Sequence, residues 1–594
     1  MTNPQRLFDC LDLLLQKGDK PDLLSAKENG EWKSYSLVEV KSIVNQLSVG
    51  LLEAGIGYGD GTAEGRDKIA VLSKNRPEWI MLDLAIQQTG AVLTPFYPTI
   101  HVNELEYALN DAQVKMMFVN NEDDLEKVLS IKSRVPSLTA VFSFEKASNA
   151  SYWKELLKPV GETQLLQIKL AADQIKNDDL VTIIYTSGTT GKPKGVMLSH
   201  NNILSNVIAC APCLPVSDLK ALSFLPLNHI FERMITFFYL YKGASIYYAE
   251  SMETIGDNLK EVKPNIFTTV PRLLEKVYDR IMKKGSDLTG IKKKLFFWAH
   301  GLAEKFEINK NQGIWYNLQL ALANKLIFSK WRDALGNNLL CIVSGGAACQ
   351  VRLIRIFTAA KIPILEGYGL TETSPVISVN RYQEEMRKFG TVGPAIDDVE
   401  IKIADDGEII CRGPNVMIGY YKQPGLTKEV ISDDWFHTGD IGTLVDGKYL
   451  KITDRKKEMF KTSGGKYVAP LPIENKLKES RYIEQAMVIG ADMKYVGALI
   501  IPSFSNLVDW AKSQGIEDRS HLALVKNPKV KDFYKDLVES FNNFFNHVEQ
   551  VKRFELLANE WSIEGGELTP KLSMKRKVIM EKSSEAIDRI YPAN

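Results

Sequence analysis

The stretch YTSGTTGKPKGVMLSH, Tyr185 to His200, is where residue types and spacing speak most directly of chemistry. It follows a strongly apolar run and packs four small hydroxyl residues (Thr186, Ser187, Thr189, Thr190), three glycines and two lysines into a short turn. Glycines such as Gly188 and Gly191 let a backbone come close to an anion. Main-chain N–H groups and the neighbouring hydroxyls can then surround phosphate oxygens, with Lys192 and Lys194 adding positive charge. A Walker loop is excluded, because the glycine spacing differs and Pro193 follows Lys192 where that loop needs Ser or Thr. A flexible surface loop is the plain alternative, and the joint density of hydroxyl, glycine and lysine argues against it.

Gly367, Tyr368 and Gly369 follow another apolar run, in the position where open α/β sheets bind ligands at strand ends. Thr371 and Glu372 come next and offer oxygen ligands. A helix-start carboxylate is the plain reading of the same glutamate. Asp440 in WFHTGD could accept from a cis-diol, although alone it reads as a turn aspartate. Arg455 and Lys457 lie in a charge run that alone reads as a solvated face. His229, beside apolar residues in SFLPLNHIFERM, alone reads as a satisfied core histidine. Cys210 and Cys213 form a lone CxxC in an apolar stretch and read as buried small residues.

Taken in order, the loop and SGGAA (Ser344–Ala348), GYGLTET (Gly367–Thr373), WFHTGD (Trp435–Asp440), ITDRKKE (Ile452–Glu458) and KTSGGKYVAP (Lys461–Pro470) resemble the adenylate-forming enzymes along nearly the whole chain. That superfamily comprises acyl-CoA synthetases, adenylation domains and luciferases. The surroundings of His229, with VPRLLEKVY (Val270–Tyr278) and LFFWAHGLAEKF (Leu295–Phe306), resemble its long-chain acyl-CoA synthetase subgroup.

The resemblance implies ATP as co-substrate, held by Thr186, Ser187, Gly188, Thr189, Thr190, Gly191, Lys192 and Lys194 with Gly345, Gly346 and Ala347. It implies Tyr368 on the adenine ring between Gly367 and Gly369, with Thr371 beside it. Asp440 would take the ribose hydroxyls, and Arg455 a ribose or phosphate oxygen. Mg²⁺ would be held by Glu372 and the Thr189 hydroxyl. His229 would border the place where the acyl carboxylate meets AMP. Lys457 matches the hinge between domains, and Gly464 and Gly465 match the loop lining the tunnel for the CoA thiol, where missing side chains leave room.

The implied reaction has two steps. The carboxylate of a long-chain fatty acid attacks the α-phosphorus of ATP, giving acyl-AMP and pyrophosphate, and the CoA thiol then displaces AMP. One departure stands out. Long-chain members end in a pattern like TPTLKLKR, whose first lysine serves adenylation, whereas this chain reads TPKLSMKR with Ser573 in that place. A serine cannot offset charge on a forming adenylate, so Lys571 is expected to take the role, its flexible stem absorbing a small shift. Two alternatives follow: transfer to a carrier-protein thiol, or a catalytically weak acyl- or nucleotide-binding protein.

These residues need a scaffold. Apolar runs at 69–73, 91–97, 114–119, 139–144 and 180–186 alternate with helix-period segments such as PEWIMLDLAIQQTG. The same grammar returns at 221–227, 244–249, 265–270, 339–345 and 362–369, which predicts an α/β fold of helix-covered parallel sheets. A helical insert is expected over about 275–335 and a β-rich segment over about 390–452, where VEIKIADDGEIICRG reads as a hairpin. The predicted division is an N-terminal domain at 1–455 and a small mobile α+β domain at 456–594.

With 594 residues, 74 Lys plus Arg against 73 Asp plus Glu and a net charge of +1, the chain shows no global charge that would suit nucleic acid or an anionic membrane surface. Six cysteines make no disulfide framework. No uninterrupted apolar span or secretory leader is evident, so the cytoplasm is the expected compartment. KKKLFFWAHGL could rest on a membrane surface or equally be a core-packed helix with a solvated start. Peripheral membrane contact and a homodimer stay open.

Overall fold

In the computed structural model, residues 3–186, 192–569 and 574–592 are described. The apolar runs become strands of two eight-stranded sheets. One takes, in spatial order, Gly419–Tyr420, Lys194–Ser199, Leu180–Thr186, Val92–Phe96, Lys68–Leu72, Met116–Val119, Ala140–Ser143 and Ser151–Tyr152. The other takes Val376–Val379, Ile364–Gly369, Cys341–Ser344, Ile266–Thr269, Lys220–Ser223, Ser245–Tyr248, Leu24–Glu28 and Glu31–Tyr35. Their central strands run parallel, and helices such as Pro77–Thr89 pack on them. Burial on both faces is why these strands read as continuous apolar runs and not as alternating ones.

Six strands and one helix position the site. β1 (Leu180–Thr186) and β2 (Lys194–Ser199) pair antiparallel with Thr186 opposite Lys194, so the Gly- and Thr-rich stretch joins the two strands. The run 221–227 forms a strand only through Ser223, because Pro226 cannot donate to a ladder, and the chain turns into α1 (Ile230–Lys242). A buried ion pair anchors α1: Arg233 Nε and Nη2 meet the Asp83 carboxylate at 2.9 and 2.7 Å, tying α1 to the helix Pro77–Thr89. The predicted insert is helical, with α2 (Gly290–Ala303) and α3 (Ile314–Ala323) packed as a hairpin.

β3 (Cys341–Ser344) and β4 (Ile364–Gly369) then complete the parallel core of the second sheet. The hairpin Glu400–Ile403 with Glu408–Arg412 turns at Gly407, whose φ of +85° suits glycine. β5 (Trp435–Val445) and β6 (Tyr449–Arg455) extend that antiparallel sheet. Beyond it, residues from Val468 to Ile590 bury a core of their own around the strands Ile483–Ile489, Val496–Pro502 and Val551–Leu556. The fold is the expected one: helix-covered sheets, a β-rich segment and a small α+β part.

Candidate active site

The site begins with side-chain alternation on two neighbouring strands. In the parallel register of β3 and β4, Val343 lies opposite Leu365. Cys341, Val343 and Gly345 therefore share a face with Leu365, Gly367 and Gly369, and all six line one cavity of about 1010 Å³. α1 supplies a further wall. Phe231, Met234, Ile235 and Phe238 stand at i, i+3, i+4 and i+7, one helical stripe spanning about 10 Å. Cys210 and Cys213, buried as expected, belong to the core and also line this cavity.

The cavity changes character toward the C-terminal ends of the strands. There it meets Thr186, Lys194, Thr371 and Glu372. Gly369 is required where it stands, since a Cβ there would lie 1.8 Å from the carbonyl oxygen of Pro375. Gly346, with φ +80°, also occupies backbone space that favours glycine.

The charged centre of this mouth is a three-way contact. Lys194 Nζ donates to Glu372 Oε1 at 2.9 Å and lies 2.5 Å from the Tyr420 hydroxyl, which itself donates to Glu372 Oε1 at 2.8 Å. Burial works to raise the Glu372 pKa, but the Lys194 ammonium and its hydrogen bond prevail and hold it below the ordinary value. Glu372 is thus the ionised carboxylate that a hard cation needs, and it fits magnesium that arrives with phosphate. Among the described residues, no group of three or more His, Cys, Asp and Glu side chains forms a metal cage.

A second polar group stands beside it. Tyr368 donates from its hydroxyl to Asp440 Oδ2 at 2.6 Å, and Asp440 sits opposite Arg455 across the β5–β6 ladder, its Oδ1 3.5 Å from Arg455 Nε. Burial raises the Asp440 pKa, with Arg455 and the Tyr368 hydrogen bond pulling the other way. Tyr368 and Arg455 line the cavity, and Asp440 lies behind Tyr368. The residues expected to hold adenine and ribose are therefore already joined to each other.

His229 lines the cavity and caps α1, its Nδ1 accepting from the Phe231 N–H at 3.1 Å. Accepting at Nδ1 puts the ring proton on Nε2. Gly345, Gly346, Gly367 and Thr371 line the cavity as well, whereas Ala347 is exposed outside it and Lys192 lies over the Tyr107 ring. Lys457, Gly464 and Gly465 are not part of the lining. Lys457 is exposed in the turn after β6, and the two glycines sit in the turn between Phe460–Lys461 and Tyr467–Val468. Ser187, Gly188, Thr189, Thr190, Gly191, Lys571 and Ser573 lie outside the described residues.

One feature escaped the sequence reading. Tyr420 bridges Lys194 and Glu372, partners 226 and 48 residues away, and its GYYK context carries no spacing signal. The C-terminal part also reaches the cavity through Glu564, Thr569 and Lys575. Next to Lys575, Arg576 is held by Glu458 at 3.1 Å and by Glu474 at 2.5 Å.

Comparison with known proteins agrees with this geometry. The family model described as AMP-binding enzyme matches residues 14–421, and that described as AMP-binding enzyme C-terminal domain matches residues 458–594. The chain is 30% identical over 582 residues to the long-chain-fatty-acid–CoA ligase FadD15 of Mycobacterium bovis, covering 96% of this chain and 95% of that one. It is 32% identical over 597 residues to long chain acyl-CoA synthetase 4 of Arabidopsis thaliana, covering 94% and 87%. Among solved structures, the anthranilate CoA ligase AuaEII in complex with anthranoyl-AMP superposes with a TM-score of 0.73 at 18% identity, covering 99% of this chain and 98% of that one. At that identity the likeness concerns the fold.

Proposed function

The chain belongs to the AMP-binding enzyme family, and from that premise we propose that it activates a long-chain fatty acid with Mg-ATP through acyl-AMP and transfers the acyl group to the CoA thiol. The observation that carries this reading is the continuity of the cavity. A single space of about 1010 Å³ joins a charged mouth at Lys194 and Glu372 to an apolar wall along α1. A substrate with one carboxylate and a long hydrocarbon chain matches that polarity. The names of the relatives in Mycobacterium bovis and Arabidopsis thaliana support the same acid and the same acceptor.

In the first step a carboxylate oxygen forms a bond to the α-phosphorus of ATP while the bond to pyrophosphate breaks. Lys194 and Arg455 supply positive charge to the phosphates, together with the N–H groups and hydroxyls of the stretch from Thr186 to Gly191. Glu372 and Thr189 would hold Mg²⁺, which when bound neutralises phosphate charge. Tyr368 offers its ring to adenine, and Asp440 offers its carboxylate to the ribose hydroxyls. His229, donor at Nε2, borders the acyl carboxylate. In the second step the CoA sulfur bonds to the acyl carbon, AMP leaves with the ester oxygen, and the thiol proton passes to solvent. Rotation about Lys457 would bring the Gly464–Gly465 turn to the mouth for that step.

Lys571 is the proposed adenylation cation, with Lys575 as the competing lysine. Lys571→Ala is expected to abolish acyl-AMP formation and leave thioesterification of supplied acyl-AMP largely intact. If Lys575→Ala gives that pattern instead, the role passes to Lys575. The adenylate route itself is tested with an acid carrying heavy oxygen in its carboxylate. One labelled oxygen should appear in AMP. Unlabelled AMP, or ADP as product, would overturn the route.

A further inference from the structure

The insert presents a surface that the catalytic reading does not use. On α3 and the helical turns that continue it, Ile314, Trp315, Leu318, Leu322 and Leu326 are 82%, 74%, 59%, 49% and 43% exposed. Their spacing of i, i+1, i+4, i+8 and i+12 lays them along one side of the helix, while Ala323 and Phe328 are buried on the other. Isolated exposed apolar residues are ordinary, but a contiguous stripe of this kind marks an interaction face.

Charge identifies what the face suits. Trp298 Nε1 donates to Gln319 Oε1 at 3.3 Å and the Tyr316 hydroxyl donates to the Leu302 carbonyl at 2.8 Å, which fixes the antiparallel register of α2 and α3. Continued along the pair, that register sets Lys292, Lys293 and Lys294 alongside the Leu322–Leu326 end of the stripe. These lysines and Lys325 are all exposed, and none has an ion-pair partner among the described residues. Residues 290–334 hold eight Lys and Arg against three Asp and Glu in a chain whose net charge is +1. Of the aromatic run of α2, Phe296 is buried, Leu295 and Trp298 are half-buried and Phe297 is 39% exposed, so the outward apolar face belongs mainly to α3.

We propose that the α2–α3 hairpin is a membrane-docking surface, seating the Ile314–Leu326 stripe at the headgroup–acyl boundary of an anionic bilayer with the flanking lysines on its headgroups. Lysine stems lie along apolar surface while their ammonium groups reach phosphate, and each lysine close to an anionic surface strengthens binding. No helix among the described residues is long and apolar enough to cross a membrane, so contact is made in the plane of the surface. The choice of a lipid partner rests in part on the proposed substrate, since long-chain acids partition into bilayers.

The test is co-sedimentation of the full chain with phosphatidylcholine vesicles and with vesicles that also contain phosphatidylglycerol. Binding is expected to the anionic vesicles and to weaken with salt. Replacing Lys292, Lys293 and Lys294 together by Gln should lower it roughly tenfold to a hundredfold. Leu318→Glu with Leu322→Glu should abolish binding while leaving acyl-CoA formation from detergent-dispersed acid at the parent level, because neither residue lines the cavity. That separate assay reads the proposed reaction independently of docking. Absence of vesicle binding, binding indifferent to these variants, or a concentration-dependent dimer that the Leu318→Glu, Leu322→Glu pair dissolves would each overturn the proposal, the last assigning the face to a second copy.

Discussion

At the mouth of the cavity, Lys194, Glu372 and Tyr420 hold one another at 2.5 to 2.9 Å although they come from three separate segments. Along the α1 wall, Phe231, Met234, Ile235 and Phe238 come from a single helix and offer no charged group or hydroxyl. The first region relies on mutual neutralisation of buried charge, and an error of an ångström would leave an ion unpaired. The second relies on shape, and changing one side chain alters only the space available. The difference predicts that substitutions at the mouth switch chemistry off, whereas those on the wall retune which acid is taken.

The strongest way to break this comparison is to remove the anchor of the wall. α1 carries His229 at its start and the apolar stripe along its length, and the Arg233–Asp83 pair anchors it with both side chains fully buried. Asp83→Ala leaves the Arg233 charge unpaired and should cost about 3–5 kcal/mol of stability, read by chemical denaturation. Next is the mouth. Glu372→Ala should lower turnover about 10²–10³-fold and flatten its response to magnesium, whereas full turnover across a magnesium titration would remove Glu372 from its role.

A third effect is set by pH. Burial raises the pKa of Glu232, on α1, from 4.5 to about 7. Between those values the folded state binds more protons than the unfolded one, so this group's stabilisation is complete below pH 4.5 and fades as pH rises through 7. The loss is about 3 kcal/mol, and Glu232→Gln should flatten the fall in stability between pH 5 and 8. The smallest effect belongs to the wall. Phe238→Ala should shift the ratio of kcat/KM values toward longer acids by about tenfold, and an unchanged chain-length profile would place the acyl chain elsewhere.

The same comparison explains what could be read from the sequence. Thr186, Lys194, Gly367, Gly369 and Glu372 were legible because glycine, hydroxyl and charge at fixed spacing are a poor way to build a core. Both sheets were legible because β-rich apolar runs recur between helix-period segments. The wall was not legible, since i, i+3, i+4, i+7 is equally the pattern of a helix buried in a core, and Cys210 and Cys213 read as core for the same reason. Tyr420 was hidden because its bonds close only when distant segments meet. The docking stripe of α3 was hidden because an outward apolar face and an inward one share a periodicity, and only exposure separates them.

The most direct test of the account is pyrophosphate release from ATP by the purified chain, across saturated acids of increasing length, with and without CoA. The account predicts release that requires a long-chain acid, with acyl-CoA accumulating only when CoA is present. ATP binding without pyrophosphate release for any acid would contradict it, and would mean that Ser573 has cost the chain its first half-reaction.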